Sequence, residues 1–583
     1  MTRIFAVLLF TFVLSSASDE DLIDYYEHLI TEGIEKSSRY QFPKDARDFL
    51  PKNAKPKDFG TYDFVVVGAG SAGAVLANRL SEVGCWRILL LEAGKEGNDF
   101  TEIPGMITYA IRSENNWGYN STPQATCCQM LNGSCPYPRG KSLGGTTTIN
   151  CLGYARGHKI DYDNWASFGN PEWSYEKVLP FFIKSEKSQI DGEPQYHGHD
   201  GYLNVNYPSP PSIKMDAIFD GFKEIGLPMV DLNANHQNGA SYNKLNTLNG
   251  RRLSTEKKLL DPIRSRPNLM ILTESFVEKN HQGSDRIGWR DRISRILMHS
   301  GIGPKNHLRS LNIRVMKNLR VGYNMHDHPV VYSIIFQTRI SDPQFTFRES
   351  IRQYLNGTGL LTIPLNPQAL AMFQLNPDND TVPDFQIEVV PHVIIDGFIG
   401  VDPELVTQLM SLNISLSNFA LILLHPKTRG RVYLKSNNPY VYPLIDSKCF
   451  CDENNEDVEK MYQGILKVLE LFETEALKGI GAQLLPVPQC LVHGFNNRDY
   501  WMCTIRQAGM NAYHAGGTCS MGPDTRNGAV VDGYARVHGI KRLRVADTSI
   551  MPLTISGQMS APAMMIGDRV ADLIKRNYNN DIN

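Results

Sequence analysis

The chain has 583 residues, with 59 lysines and arginines against 61 aspartates and glutamates, and is 42% hydrophobic and 21% charged. That length exceeds one ordinary domain and can bury a large core, and the composition excludes an intrinsically disordered chain. A net charge of −2 leaves no electrostatic footprint for nucleic acid or an anionic lipid surface.

At the N-terminus, Arg3 precedes an apolar run from Ile4 to Leu14, followed by Ser15, Ser16 and Ala17. Residues 1–17 read as a secretory signal cleaved near Ala17. The run is too short for a bilayer core that needs about twenty residues, and no later stretch is long and apolar enough, so the expectation is a secreted, extracellular protein with no membrane span. Five N-x-S/T sequons, at Asn120, Asn132, Asn356, Asn379 and Asn413, fit a glycoprotein. Ten cysteines are too few for a disulfide scaffold at this length. Local bridges are expected between Cys127 or Cys128 and Cys135, and between Cys490 and Cys503.

Residues 18–60 form an approach with a short helix over Leu22–Ile34. DFVVVGAGSAG then gives a buried strand (Phe64–Val67), a glycine turn (Gly68, Gly70, Gly73) and a helix over Ala74–Val83. A second strand, Ile88–Leu91, ends in Glu92. Strand, GxGxxG, helix, strand and acid in that order are the dinucleotide-binding fingerprint. Gly68 permits the tight turn, Gly70 lets the backbone approach a pyrophosphate, and the helix N-terminus presents unpaired N–H groups to the phosphates. Glu92 is positioned to accept hydrogen bonds from an adenosine ribose. Further on, CPYPRGKSLGGTTTIN combines glycines with threonine hydroxyls and ends at Asn150, a composition suited to lining a flat cofactor. Residues 160–240 are rich in aromatics and prolines. Residues 330–440 alternate apolar and polar in β-rich runs such as Phe385–Val390 and Leu421–Leu424, which predicts an antiparallel sheet. Asp457–Phe472 reads as an amphipathic helix with Val458, Met461, Ile465, Val468 and Leu469 on one face. YHAGGTCSMGPD, from Tyr513, and LRVADTSIMP follow. No His/Cys spacing matches a metal site.

The motifs VVVGAGSAGAVLANRLSE, LLLEAG, NWGYNSTPQ, PRGKSLGGTTTIN, YARGHKIDYDNW, SGIGP, GYNMHDHP, HPKTRGRVYLKS and YHAGGTCSMGPD, in this order, resemble the glucose–methanol–choline (GMC) oxidoreductases of the insect secreted type. The resemblance covers nearly everything after residue 17. It implies an α/β fold: a discontinuous FAD-binding Rossmann-type domain (61–160 with 240–330 and 505–583) and an α+β substrate-binding domain with an antiparallel sheet (161–239 with 331–504). It implies FAD as the cofactor. Gly68, Gly70 and Ser71 would hold the pyrophosphate, Glu92 the ribose, and the Val277 backbone the adenine. Gly145, Thr146, Asn150, Cys151 and Gly153 would run beside the flavin, which Ala546 and Asp547 would close. The implied reaction oxidises a CH–OH group of an alcohol or sugar by hydride transfer to flavin N5, with O2 or a quinone as electron acceptor. His514 maps to the general base, a role suited to an imidazole whose ordinary pKa lies near 6.5. His326 and His328 read as structural, and His158, His197, His199 and His425 as ordinary.

Three departures from the family pattern stand out. Between Val277 and Ser300 the chain lacks roughly thirty residues, which predicts a missing strand, an exposed sheet edge and unpaired backbone. Gln558 stands where the family has His or Asn, one methylene longer than Asn and unable to act as a base. Ala515 and Gly516 stand where a proline usually follows the catalytic histidine, which predicts a looser loop. The shortening also raises a second reading: a catalytically impaired secreted relative with a binding or structural role, or an incomplete gene model.

Overall fold

The computed structural model describes residues 18–50, 58–278, 286–288, 290–376, 382–393 and 415–580. The expected signal segment and the sequons at Asn379 and Asn413 lie outside these residues.

Two sheets organise the molecule. The first has five parallel strands in the order Leu269–Leu272, Ile88–Leu91, Phe64–Val67, Arg286–Gly288, Leu543–Val545. Phe64-Val65-Val66-Val67 and Ile88-Leu89-Leu90-Leu91 are apolar at every position because a parallel sheet of this kind is covered on both faces. The glycine turn follows the central strand, and the helix it feeds spans Ser71–Leu80, three residues earlier than its periodicity suggested. The Ser560–Asn580 helix lies against it. Contact is close enough to require glycine: a Cβ on Gly567 would fall 2.5 Å from the Ala72 carbonyl oxygen.

The expected gap in this sheet is not present. Arg286–Gly288 pairs with Phe64–Val67 on one side and Leu543–Val545 on the other, in register at Val65↔Arg286↔Leu543. The 278–299 segment, expected to lack a strand, supplies one: three residues suffice to bridge the two neighbours and pair their backbone groups.

The second sheet is antiparallel, in the order Gln483–Leu484, Pro329–Thr338, Ser415–Leu423, Phe385–Val390, Ala369–Phe373, Gly239–Tyr242, with Gly509–Asn511 also paired to Pro329–Thr338. Both β-rich runs read from the sequence lie in it. The amphipathic helix spans Glu456–Leu469 and turns 3-10 over Glu470–Glu473. Met461, Ile465 and Val468 are fully buried in the core between this helix and the sheet, each such side chain contributing about 1.5–3 kcal/mol of burial. The N-terminal helix runs Asp19–Arg39, longer than predicted at both ends, because Ser18 and Asp21 form a capping box ahead of it. The two expected disulfides are formed, and Cys128, not Cys127, is the partner of Cys135. Among the described residues no helix is long and apolar enough to cross a membrane.

Candidate active site

The two sheets meet around a cavity lined by Ser71, Thr146, Asn150, Cys151, Gly153, His514, Asp547 and Gln558, eight of the residues singled out in the sequence. Its walls enclose about 1660 Å3, counting space open to solvent. A narrower cleft, lined by Gly68, Glu92 and Val277, lies at the ends of the central strands. Gly70, Gly145 and Ala546 line neither space. Gly70 is the N-cap of the Ser71–Leu80 helix, Gly145 begins the 3-10 turn Gly145–Thr148, and Ala546 is buried.

Each position has a local cause. The helix from Ser71 has no side-chain cap at Gly70, so its first N–H groups are left for a ligand at the cavity wall formed by Ser71 and Ala72. Glu92 is 3% exposed and clamps the glycine turn: Oε2 accepts from the Ala69 N–H at 2.9 Å and Oε1 from the Gly94 N–H at 2.8 Å. Asn150 is held from behind by Arg252, whose guanidinium donates to the Asn150 carbonyl at 2.6 Å and to its Oδ1 at 3.1 Å. Burial lowers the Arg252 pKa to about 10. Arg252 carries no sequence signal, since nothing in NGRRLSTE distinguishes a buried arginine from an exposed one.

His514 sits on a loop that reverses at Tyr513, a non-glycine residue at φ 64°. This loop is not loose. The His514 N–H donates to Asp327 Oδ1 at 2.7 Å, and Gly516 exchanges two backbone hydrogen bonds with His326. A Cβ at Gly516 would lie 2.8 Å from the His326 ring, so the residue that replaces the expected proline region fits only as glycine. The predicted looseness is therefore corrected: backbone pairing supplies the restraint that a fixed φ would have given.

His328, read as structural, meets His514 ring to ring, Nδ1 to Nδ1 at 2.9 Å, with the planes 84° apart. The contact joins residues 186 positions apart, which no motif spacing reveals. Asp327 ties the pair together, accepting from the main-chain N–H of both histidines and from the Tyr137 hydroxyl. With Nδ1 committed to His328, the proton acceptor His514 presents to a substrate is Nε2.

Gln558 is 9% exposed, and its Nε2 donates to Glu388 Oε1 at 3.3 Å. Glu388 lines the same cavity from the Phe385–Val390 strand, and burial raises its pKa despite the opposing hydrogen bonds from Gln558 and Gln386. An acid inside the apolar run FQIEVV was the available signal. Cys151 has accessible surface and lines the cavity, and burial pushes its thiol up to about 12. It is therefore a neutral wall residue, not a thiolate nucleophile.

Family profiles described as GMC oxidoreductase match residues 62–287 and 426–567. The chain is 35% identical over 549 residues to the glucose dehydrogenase (FAD, quinone) of Drosophila pseudoobscura pseudoobscura, covering 88% of this chain and 87% of that one. It is 32% identical over 570 residues to the ecdysone oxidase of Bombyx mori, covering 91% and 84%. In fold it resembles pyridoxine 4-oxidase from Mesorbium loti, with a TM-score of 0.75 at 24% identity over 89% of this chain and 99% of that one. It also resembles an FAD-dependent oxidoreductase from Chaetomium thermophilum, with a TM-score of 0.77 at 24% identity over 89% and 100%. The chain thus belongs to the GMC oxidoreductase family, and FAD is its dinucleotide.

Proposed function

We propose that the protein is a secreted FAD-dependent oxidoreductase that removes a hydride and a proton from a CH–OH group of an alcohol or sugar, with His514 as general base. The observation that carries this reading is the convergence on one cavity of His514 and Gln558 with Ser71, Thr146, Asn150, Cys151 and Asp547. The residues fit the cofactor. Uncapped helix N–H groups behind Gly70 and Ser71 suit a pyrophosphate, while Gly68, Glu92 and Val277 line the cleft assigned to the adenosine end. Thr146, Asn150, Cys151, Gly153 and Asp547, which line the cavity, take the flavin end, with Gly145 and Ala546 adjoining them in the chain. FAD, when bound, supplies the hydride acceptor at flavin N5, which no side chain can provide.

The remaining work belongs to the chain. His514 Nε2 takes the hydroxyl proton as the C–H bond breaks, so that a neutral carbonyl leaves instead of a protonated one. The Asp327 clamp and the His328 contact fix the ring orientation, which matters because a misplacement of about an ångström can cost ~100-fold in rate. Gln558, held by Glu388, offers amide polarity beside the substrate. A quinone or O2 then takes the electrons. The impaired-relative reading rested largely on a missing sheet strand, and that strand is formed.

Purified protein loaded with FAD is expected to show a flavin absorbance spectrum that bleaches anaerobically on adding an alcohol or an aldose. A folded, FAD-loaded protein inert to a broad panel of both refutes the catalytic reading.

A further inference from the structure

Behind the catalytic loop lies a second cleft, lined by Asp161, His425, Lys427, Leu553 and Thr554. It reaches the exterior at Lys427, whose side chain is 62% exposed. Between this cleft and the active-site cavity stands His328. It is fully buried and lines neither space, yet its two ring nitrogens bond one residue from each: Nδ1 meets His514 Nδ1 at 2.9 Å, and Nε2 meets Thr554 Oγ1 at 2.6 Å. His514 Nε2, His514 Nδ1, His328 Nδ1, His328 Nε2 and Thr554 Oγ1 therefore form one unbroken series of proton-carrying atoms through the protein wall.

We propose that His328 and Thr554 are a proton relay that carries the proton taken by His514 out of the active-site cavity to the Asp161–His425 cleft. The inference rests on the oxidation proposed above. Removing a hydride and a proton from CH–OH leaves the proton on His514 Nε2 inside a largely apolar cavity, where a charged imidazole is costly to keep. In the resting chain His514 carries hydrogen on Nδ1 and donates to His328 Nδ1, while His328 carries hydrogen on Nε2 and donates to Thr554. When Nε2 of His514 gains the substrate proton, its Nδ1 hydrogen passes to His328 Nδ1. The Nε2 hydrogen of His328 then passes to Thr554 Oγ1, and the hydroxyl hydrogen of Thr554 passes to water in the cleft. One proton enters and one leaves, and no residue stays charged.

Each tautomer is then reversed. The second half-reaction restores it: reducing a quinone-class acceptor to its hydroquinone consumes one hydride equivalent and one proton, and that proton returns along the same atoms. A serine or threonine hydroxyl can both accept and donate, and a histidine has two distinct nitrogens, so these residue types suit a chain that must run both ways. The groups facing His328 are compatible with a neutral shuttle. His514 and Asp327 lie on the active-site side, with Asp327 engaged by main-chain N–H groups and by Tyr137. His425 lies on the cleft side and is held neutral, its pKa lowered to about 3 chiefly by burial.

The test uses FAD-loaded wild type, Thr554→Val, which keeps the shape and removes the hydroxyl, and Thr554→Ser, which restores it. Long-range 15N–1H correlation on 15N-histidine protein reports tautomers without turnover. The relay requires Nδ1–H on His514 and Nε2–H on His328, and a wild type with the opposite pair overturns it. In single turnovers with an alcohol, proton release is followed with a pH-indicator dye and the flavin by absorbance. Thr554→Val is expected to slow proton release roughly 100-fold, the lower end of what a positioned proton-transfer group contributes, with Thr554→Ser near wild type. Flavin bleaching with unchanged proton release in Thr554→Val overturns the relay alone. Absence of bleaching in the wild type overturns the oxidation reading and the relay with it.

Discussion

Replacing Glu92 with Gln tests whether the nucleotide end of the site is built as the geometry indicates. The Glu92 carboxylate accepts two main-chain hydrogen bonds, from Ala69 within the glycine turn at 2.9 Å and from Gly94 at 2.8 Å. Both oxygens are used as acceptors, so an amide must set an N–H against one of those N–H groups. A hydrogen bond to a charged group contributes about 1.5–3 kcal/mol, and at 1.4 kcal/mol per decade the loss of one corresponds to roughly 10- to 100-fold weaker FAD binding. Apoprotein titrated with FAD and followed by quenching of flavin fluorescence gives the dissociation constant directly, with circular dichroism confirming that the variant is folded. Glu92→Asp, which keeps both acceptor oxygens, is expected to fall between the two. If Glu92→Gln binds FAD within about twofold of wild type, a difference of only ~0.4 kcal/mol, the turn does not depend on this carboxylate and the assignment of Glu92 fails.

Three more outcomes follow from the site. His514→Ala is expected to lower kcat by roughly 100- to 10,000-fold while leaving the flavin spectrum of the loaded protein intact; retained activity refutes the base assignment. Burial raises the Asp161 pKa to about 7, against hydrogen bonds from the Ser556 and His158 main chain that lower it. Its folded-state pKa lies above the unfolded one, so its contribution to stability is complete below about pH 4 and is lost as pH rises through about 7. The difference amounts to roughly 4 kcal/mol, so the wild-type melting temperature is expected to fall between about pH 4 and pH 7, and Asp161→Asn to flatten that fall; identical pH profiles refute it. Gln558→Asn and Glu388→Gln are in direct contact and are expected to be non-additive in kcat/KM by about 1 kcal/mol; strict additivity in a double-mutant cycle shows that the 3.3 Å contact has no role in turnover.

Much of the fold was legible where a local rule acts alone. Phe64–Val67 and Ile88–Leu91 were read to the residue because continuous apolar runs of four, bounded by glycine or an acid, leave little else possible. The helix after the glycine turn was read three residues late. Hydrophobic periodicity starts at Ala74, but the backbone is already helical at Ser71, and the first turn is kept polar and small for a ligand. The strand Arg286–Gly288 could not be read at all. Three residues with a charged start carry no β signal, and what makes them a strand is the vacancy between two long-range neighbours, Phe64–Val67 and Leu543–Val545. Tertiary demand overrode local pattern there.

At the site, the residues legible in advance were those fixed by backbone chemistry: glycines, the acid after a strand, the histidine in a dense motif. Those missed act through one another. Glu388 was visible as an odd acid in FQIEVV, but its purpose appears only once the Gln558 amide reaches it. This alters the meaning of Gln558. Judged alone, the extra methylene looked like a misplaced amide. Beside Glu388 it is the reach that lets the amide donate to a buried carboxyl, and an asparagine would fall short and leave that carboxyl with Gln386 as its remaining amide donor. Buried polar groups lose more from an absent partner than they gain from a present one, so a substitution toward the family pattern at Gln558 carries a cost unless Glu388 changes with it. His328 obeys the same logic. Its motif marked it as a structural histidine, and it does hold the His514 loop through Asp327, but the geometry that holds the loop is also what aligns the two rings.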